Sequence, residues 1–392
     1  MNGHRPLPPA ASHQNTDPAG DRQIPNDAFQ RLPQRFFAAV EPGVEELALA
    51  ELRRFGVVGT QVYGGLEFEA KSVDIPLLLR LLRLPGRLWW SGPQLPVRSV
   101  QALAGLLGQV PVGCQLGRID VVGEGVDSRR LAWLQHSAKA WLGQHAQELG
   151  EAGFGPPDRA LLRATPTGVQ LRVDAAGGPL YQRGWRTEQG EAPLRETAAA
   201  RLLAQAGWPG WQPGGPQLWD PMCGSGTLVI EAATWGRPLP AGLRSFAIER
   251  WLQPSLSPAQ RPSWPAGLPT LLASDRDPEA VARTEANLHR AGIERGVETL
   301  CADMAAVRPT LGPDGWVVCN PPWGQRLLGR NEARRLVERL AAVIRRNAPG
   351  WQAALLVPEQ GLANGLGLRD LRTAAWSVGG QRVWLVTGRL PK

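Results

Sequence analysis

The chain has 392 residues, four cysteines and a formal net charge of +8. At roughly 150 residues per domain this is room for two or three domains, and no apolar run reaches the ~18 to 20 residues that a membrane-spanning helix needs. The cysteines and the five histidines are scattered, matching neither a disulfide framework nor a zinc site, so no metal is expected. Only three of the 43 basic residues are lysines. Arginine forks suit phosphates and stacked bases, so the composition permits a nucleic-acid partner, as it also permits ordinary arginine-rich surface.

Residues 1–33 are rich in proline and carry no apolar core segment. They read as a disordered leader rather than a signal peptide, which points to a cytoplasmic protein. Residues 35–70 read as strand, helix and strand. RFFAAV is strand-like, Val44, Leu47, Leu49 and Leu52 recur at near-helical spacing between Pro42 and Gly56, and VVGTQVYGGLEFEA alternates about a Gly-Gly turn. A helix between Pro76 and Pro85, a short helix in VQALAGLLGQV and a strand in GRIDVVGEG follow. A long amphipathic helix with Leu131, Leu134, Ala138 and Leu142 on one side, then a strand in GVQLRVDAAGGPLYQRGW, complete an α+β unit over about 34–180.

From about residue 190 to 392 strands and helices alternate. LRETAAARLLAQAGW is a helix, and PQLWDPMCGSGTLVIEAATWG is a strand, a Gly-rich turn and a helix. After a Pro-rich insertion at about 237–268, TLLASDRDPEAVARTEANLHRAGI is strand then helix, and VETLCADM and GWVVCNPPWG are strands. EARRLVERLAAVIRRN is a helix, QAALLVPE a strand, and the tail forms two antiparallel strands around Gly379-Gly380. The pattern predicts an α/β fold with a mostly parallel sheet and an antiparallel last strand, covered by helices. Arg326, Arg330, Arg334, Arg335, Arg339, Arg345 and Arg346 crowd the late helix, as a basic patch or as a solvated face.

Four strand ends carry the chemistry. In Asp220-Pro221-Met222-Cys223-Gly224-Ser225-Gly226-Thr227 a strand ends at a carboxylate and turns through two glycines into a helix, so backbone can approach a ligand closely. No lysine precedes the Ser/Thr, as a phosphate-binding loop requires, and the third glycine of a dinucleotide fingerprint is absent. Asp275 ends the next strand, where a carboxylate reaches ribose hydroxyls; Asp277 instead suits the cap of the helix starting at Pro278. Asp303, after the following strand, is placed toward an adenine edge. Asn320-Pro321-Pro322-Trp323 closes the apolar strand WVVC. Prolines there cannot continue a ladder, so the Asn320 side chain and the Pro321 carbonyl can accept the hydrogens of a planar amine while Trp323 stacks on its ring. Such a clamp orients the amine lone pair toward a methyl group, and in-line positioning is the main catalytic contribution.

DPMCGSGT, the acidic strand end at Asp275 and NPPW together resemble class I S-adenosylmethionine-dependent methyltransferases acting on an amino nitrogen. With LRETAAARLLAQAGW, SDRDPEAVARTEANLHRAGI and NPPWGQRL, the chain is similar to the THUMP-containing RNA guanine-N2 methyltransferases, including the bacterial 23S ribosomal RNA enzymes; PGVEELALAEL and YGGLEFEA are similar to the start of that family's RNA-binding region. The resemblance implies a Rossmann-like methyltransferase domain preceded by a ferredoxin-like and THUMP module that docks structured RNA, ribosomal first and transfer RNA second. It implies S-adenosylmethionine as cofactor, with Asp220, Gly224 and Gly226 around its methionine portion in a turn completed by Met222, Cys223, Ser225 and Thr227. Asp275 would then hold ribose, Asp303 would lie near adenine, and Asn320 to Trp323 would meet the target base. Trp323 stands where tyrosine is commoner, and the single catalytic half resembles the single-enzyme members. Guanosine N2 in ribosomal RNA is the leading target. The same chemistry on transfer RNA, on adenine N6, or a non-catalytic RNA-binding or assembly factor are the alternatives.

Overall fold

The computed structural model describes residues 26–149, 156–187, 194–210, 217–240, 242–252, 271–293, 296–309, 314–322 and 329–392. Its strands form two seven-stranded sheets.

The chain enters through a short helix, α1 (Asn26–Arg31), inside the stretch expected to be leader. Phe29 is fully buried, edge-on to both Trp90 and Trp251. One aromatic anchor is enough to order a polar, proline-bounded segment, so the leader expectation is corrected over 26–33. The first sheet contains β1 (Pro33–Ala39), β2 (Gly59–Val62), β3 (Gly65–Lys71), β4 (Arg87–Leu95), β5 (Leu116–Gly123), β6 (Asp158–Thr165) and β7 (Gly168–Asp174), in the order β2-β3-β1-β4-β7-β6-β5. All pairs are antiparallel except β5 with β6. It is flanked by α2 (Glu45–Arg54), α3 (Ile75–Leu81), α4 (Val100–Leu107) and α5 (Ser128–Leu149). Two of its strands escape the sequence reading. β4 contains Gly92-Pro93, which resembles a turn; the register shifts between Ser91 and Gln94, and this irregularity accommodates a proline that cannot donate to the ladder. β6 alternates buried and half-buried residues but carries Arg159 and Arg163, which answer Asp120 and Glu124 on the neighbouring strand.

The second sheet follows the expected alternation: α6 (Glu196–Gln205), β8 (Gln217–Asp220), α7 (Thr227–Ala233), α8 (Ala247–Trp251), β9 (Leu271–Asp275), α9 (Pro278–Ala291), β10 (Val297–Cys301), β11 (Gly315–Cys319), α10 (Arg330–Asn347), β12 (Gln352–Val357), β13 (Arg369–Val378) and β14 (Gln381–Arg389). Its order is β10-β9-β8-β11-β12-β14-β13, with β14 antiparallel to both neighbours and the other pairs parallel. Successive strand residues face opposite layers. Leu218, Val318 and Ala354 join the core under α6, α7 and α9, while Trp219, Val317 and Leu355 join the one under α10. Asp277 caps α9 by accepting the Glu279 N–H at 2.9 Å and Pro278 opens the helix, as the sequence predicts, and Gly292 closes it.

The Pro-rich insertion does not stay with the second sheet. Phe246, Ile248 and Trp251 pack into the core of the first, and Trp251 donates its indole N–H to Asp158 at 3.1 Å. A deeper tie lies at α7. Arg83, fully buried between α3 and β4, donates to the carbonyls of Thr234 at 3.1 Å and Arg237 at 2.7 Å, with its Nε 3.8 Å from Glu231. Arg183 reaches the same carboxylate at 3.3 Å and donates to the Arg83 carbonyl at 2.7 Å. Glu51 of α2 accepts the backbone N–H groups of Arg83 at 2.8 Å and Leu84 at 3.2 Å. Burial pushes the Glu51 carboxyl up to about 7 and the Arg83 guanidinium down to about 10. Removing one partner of such a group strands the others without water. Glu231→Ala should therefore cost about 3–5 kcal/mol in denaturant unfolding, with Glu231→Gln losing less; a loss under about 1 kcal/mol, typical of exposed pairs, would show that the cluster is not holding α7.

Candidate active site

Four of the functional strand ends lie at one edge of the second sheet, the carboxyl ends of β8, β9, β10 and β11, where the strand order reverses across β8 and β11. Open α/β sheets bind ligands in the crevice at such a reversal. Asp220 is buried at the end of β8, its Oδ1 accepting the Met222 N–H at 3.2 Å. The turn beyond it is tied to β9 by the Cys223 N–H, which donates to the Ser274 carbonyl at 3.0 Å. Asp275 then closes the loop: one carboxylate oxygen accepts the Gly224 N–H at 3.1 Å and the other the Asp277 N–H at 3.1 Å. Asp220 and Asp275 are thus brought to the same turn.

The two glycines do different work. Gly226 has φ +79, and a Cβ there would sit 2.8 Å from the Thr284 side chain, so both backbone and space require glycine. At Gly224 an added Cβ would meet no atom within 4 Å; beside that residue the crevice is open, a cradle that a bound group can fill. The outer side of the turn is clamped by α9, where Thr284 donates to the Gly224 carbonyl at 3.1 Å and Asn287 to the Ser225 carbonyl at 2.9 Å. Ser225 and Thr227 are buried, and Met222 is half-buried. Arg186 donates to Thr227 Oγ1 at 2.6 Å and lies 3.3 Å from Glu196 of α6, fixing the first residue of α7.

Thr284, Asn287, Arg186 and Glu231 were not singled out from sequence. Thr284 and Asn287 had a legible signal, two polar residues three apart on the apolar side of α9. Arg186 and Glu231 had none, because their partners are distant in the chain.

Charge decides what the crevice accepts. Burial, reinforced by the charge of Asp275, pushes the Asp220 carboxyl up to about 8. The Asp275 carboxylate and the largely neutral Asp220 carboxyl beside a Gly turn with no lysine favour a cationic group and hydroxyls over a phosphate. Burial also pushes the thiols of Cys223 and Cys319 up, so neither is a ready nucleophile. Among the described residues no cluster of histidine, cysteine, aspartate or glutamate could hold a metal.

Asp303 reaches the same rim through the Ala302 N–H, which donates to the Asp275 carbonyl at 2.9 Å. Its carboxylate is engaged by Arg339 of α10 at 2.8 and 2.9 Å, and the Ala305 N–H donor, with Arg339, holds its pKa below the usual carboxylate range. Asn320 follows β11, whose Val317 is registered against Trp219 of β8, so the Asn-Pro-Pro segment emerges beside the Asp220 turn. Asn320 and Pro322 are half-buried and Pro321 is buried. Trp323 lies outside the described residues.

Residues 183–381 match the family described as RMKL-like, methyltransferase domain, and the chain belongs to that family. Two relatives, the ribosomal RNA large subunit methyltransferases K/L of Marinobacter nauticus and Syntrophotalea carbinolica, are each 30% identical over 86% of this chain. That of Legionella pneumophila is 38% identical over 51% of it. The chain spans 50% and 51% of the first two relatives' length and 29% of the third's. Among solved structures, SMU.472 complexed with SAH superposes with TM-score 0.71 at 22% identity, over 92% of this chain and 99% of that one. TrmN from Thermus thermophilus superposes with TM-score 0.63 at 20% identity, over 91% and 100%. At these identities the two structures show the fold.

The raised Asp220 carboxyl has a thermodynamic consequence. Its folded pKa of about 8 lies above the ordinary 3.8, so the group supports folding fully below pH 4 and loses that support progressively as pH rises through 8. Asp220→Asn, which cannot ionise, should gain melting temperature relative to the parent from pH 5 to pH 8 and level off above; a gap constant across that range would contradict a buried, protonated Asp220.

Proposed function

We propose that the chain transfers a methyl group from S-adenosylmethionine to the exocyclic N2 amine of a guanosine in large-subunit ribosomal RNA. The observation that carries this reading is the convergence of the Asp220 turn, Asp275 and the Asn320-Pro321-Pro322 segment at one sheet edge. When bound, S-adenosylmethionine supplies an electrophilic methyl carbon attached to a cationic sulfur. Asp220 and the open face at Gly224 receive the methionine portion, Asp275 takes the ribose hydroxyls, and Asp303, braced by Arg339, borders the adenine. The names of the K/L relatives support ribosomal RNA as the substrate class.

On the acceptor side, the Asn320 side-chain oxygen and the Pro321 carbonyl hold the two amine hydrogens. So held, the amine would present its lone pair to the donor methyl, and this positioning lowers the barrier without a strong base. The N–CH3 bond would form as the S–CH3 bond breaks, the neutral thioether product leaving and the proton lost from the methylated nitrogen passing to solvent. A guanosine stacked in a helix must first be flipped out at a cost of a few kcal/mol, and stacking on Trp323 returns about 1–3 kcal/mol. The first sheet with its helices is the RNA-docking part, similar in its opening segments to a THUMP-associated module and acting through shape and backbone contacts.

The two halves of the site separate by mutation. With labelled donor and ribosomal RNA from a strain lacking the protein, Asn320→Ala should reduce methyl transfer at least about a hundredfold, in the range of lost positioning, and leave donor affinity within about twofold. Asp275→Ala should weaken donor binding first. Loss of both functions together in Asn320→Ala would make that residue structural, and failure of the parent protein to bind the donor would remove the enzymatic reading.

A further inference from the structure

Beside the donor crevice lies a cleft of about 450 Å³ with three walls: Glu41 and Pro42 of the β1–α2 loop, Arg195 just before α6 with Arg201 on it, and the β13–β14 hairpin from Trp376 to Gly380. Trp384 is registered against Val357, the last residue of β12. The Gly379-Gly380 turn therefore overhangs the carboxyl end of the parallel strands, the end at which Asn320 follows β11. β14 is the second strand from β11, about 10 Å away at ~4.8 Å per strand, a gap that a short run of nucleotides spans.

The walls differ in what they offer. Arg201 is 2.9 Å from Glu41, and its guanidinium lies 4.3 Å over the ring of Trp376, whose indole N–H donates to Gln205 at 3.1 Å. That wall is neutralised and fixed. Arg195 is exposed, with its guanidinium 4.8 Å over the Tyr181 ring and, among the described residues, no carboxylate partner. The aromatic platform holds its fork in place at little entropic cost. Gly379 and Gly380 have φ +59 and +81, a two-residue hairpin turn without side chains, and an added Cβ at either meets nothing within 4 Å. A polar cleft with an oriented cation that has no carboxylate partner among the described residues, and with a bare backbone, fits a phosphodiester better than an apolar peptide.

We propose that this cleft holds the backbone of the RNA strand adjoining the target nucleotide, with Arg195 binding a phosphate; the proposal rests on the RNA reading above. Because the first sheet's loop and the second sheet's hairpin both line the cleft, a strand seated in it sets the register between the docked RNA and the Asn320 loop.

The test is binding of a large-subunit ribosomal RNA transcript as a function of salt. Arg195→Ala should bind about fivefold to tenfold more weakly, with the slope of log affinity against log salt shallower by about 0.7 to 1, as for one lost phosphate contact. Affinity for S-adenosylmethionine and melting temperature should not change, Arg195→Lys should restore most of the binding, and Ser377→Glu, placing a negative charge on the opposite wall, should weaken it independently. RNA affinity and salt slope equal to the parent in both Arg195→Ala and Ser377→Glu, with methyl transfer to RNA intact, would overturn the cleft and leave the proposed function standing. Donor binding without transfer to any RNA by the parent would overturn both.

Discussion

The carboxylate of Glu231 is shared by two buried arginines, Arg183 and Arg83, and much of the molecule is arranged around that contact. Glu231 lies on α7, the helix that begins where the Gly224–Gly226 turn ends, while Arg83 lies on the exit of α3 in the first sheet's layer. A shift of one half against the other would leave a charge buried without its counter-charge, which is costly in a low-dielectric interior. Arg186 applies a similar constraint at the other end of α7 through Thr227. The donor turn is consequently held from two sides by residues outside its own sheet, which fixes its offset from the first sheet.

Within that frame the chemistry is a matter of placement and sign. Asp220, Asp275 and Asn320 owe their proximity to the strand order, which brings β9, β8 and β11 side by side. Asp275 places negative charge at the donor turn, while Arg195, which has no carboxylate partner among the described residues, stands at the neighbouring cleft. This division suits a cationic cofactor in the crevice and a polyanion across its mouth. Thiols that could have offered a covalent route are buried and neutral.

What could be read from the sequence was what depends on neighbours in the chain. The Asp277-Pro278 start of α9, the glycines at 224 and 226, and the alternation of strand and helix beyond residue 190 each rest on local geometry. α1 was missed because Phe29 finds Trp90 and Trp251 only in the folded core, and β4 because Gly92-Pro93 looks like a turn. The Pro-rich insertion gave no sign of its partner, because Trp251 meets Asp158 of the other half only in the folded protein. Asp303 was legible as a strand-end carboxylate, but its engagement by Arg339 was not. The same pairing resolves part of the arginine-rich run: Arg339 binds Asp303, Arg346 binds the Ala305 carbonyl and Arg334 pairs with Glu338, leaving that helix less a nucleic-acid patch than its composition suggested. The abundance of arginine therefore marks internal clamps to a large extent.

The central claim concerns one atom on one base, and it is tested most directly by digesting the methylated RNA to nucleosides and separating them by mass and retention. After incubation of the protein with labelled S-adenosylmethionine and ribosomal RNA from a strain lacking it, the account predicts the label in N2-methylguanosine of the large-subunit RNA. Label in N6-methyladenosine, or only in transfer RNA, would contradict it.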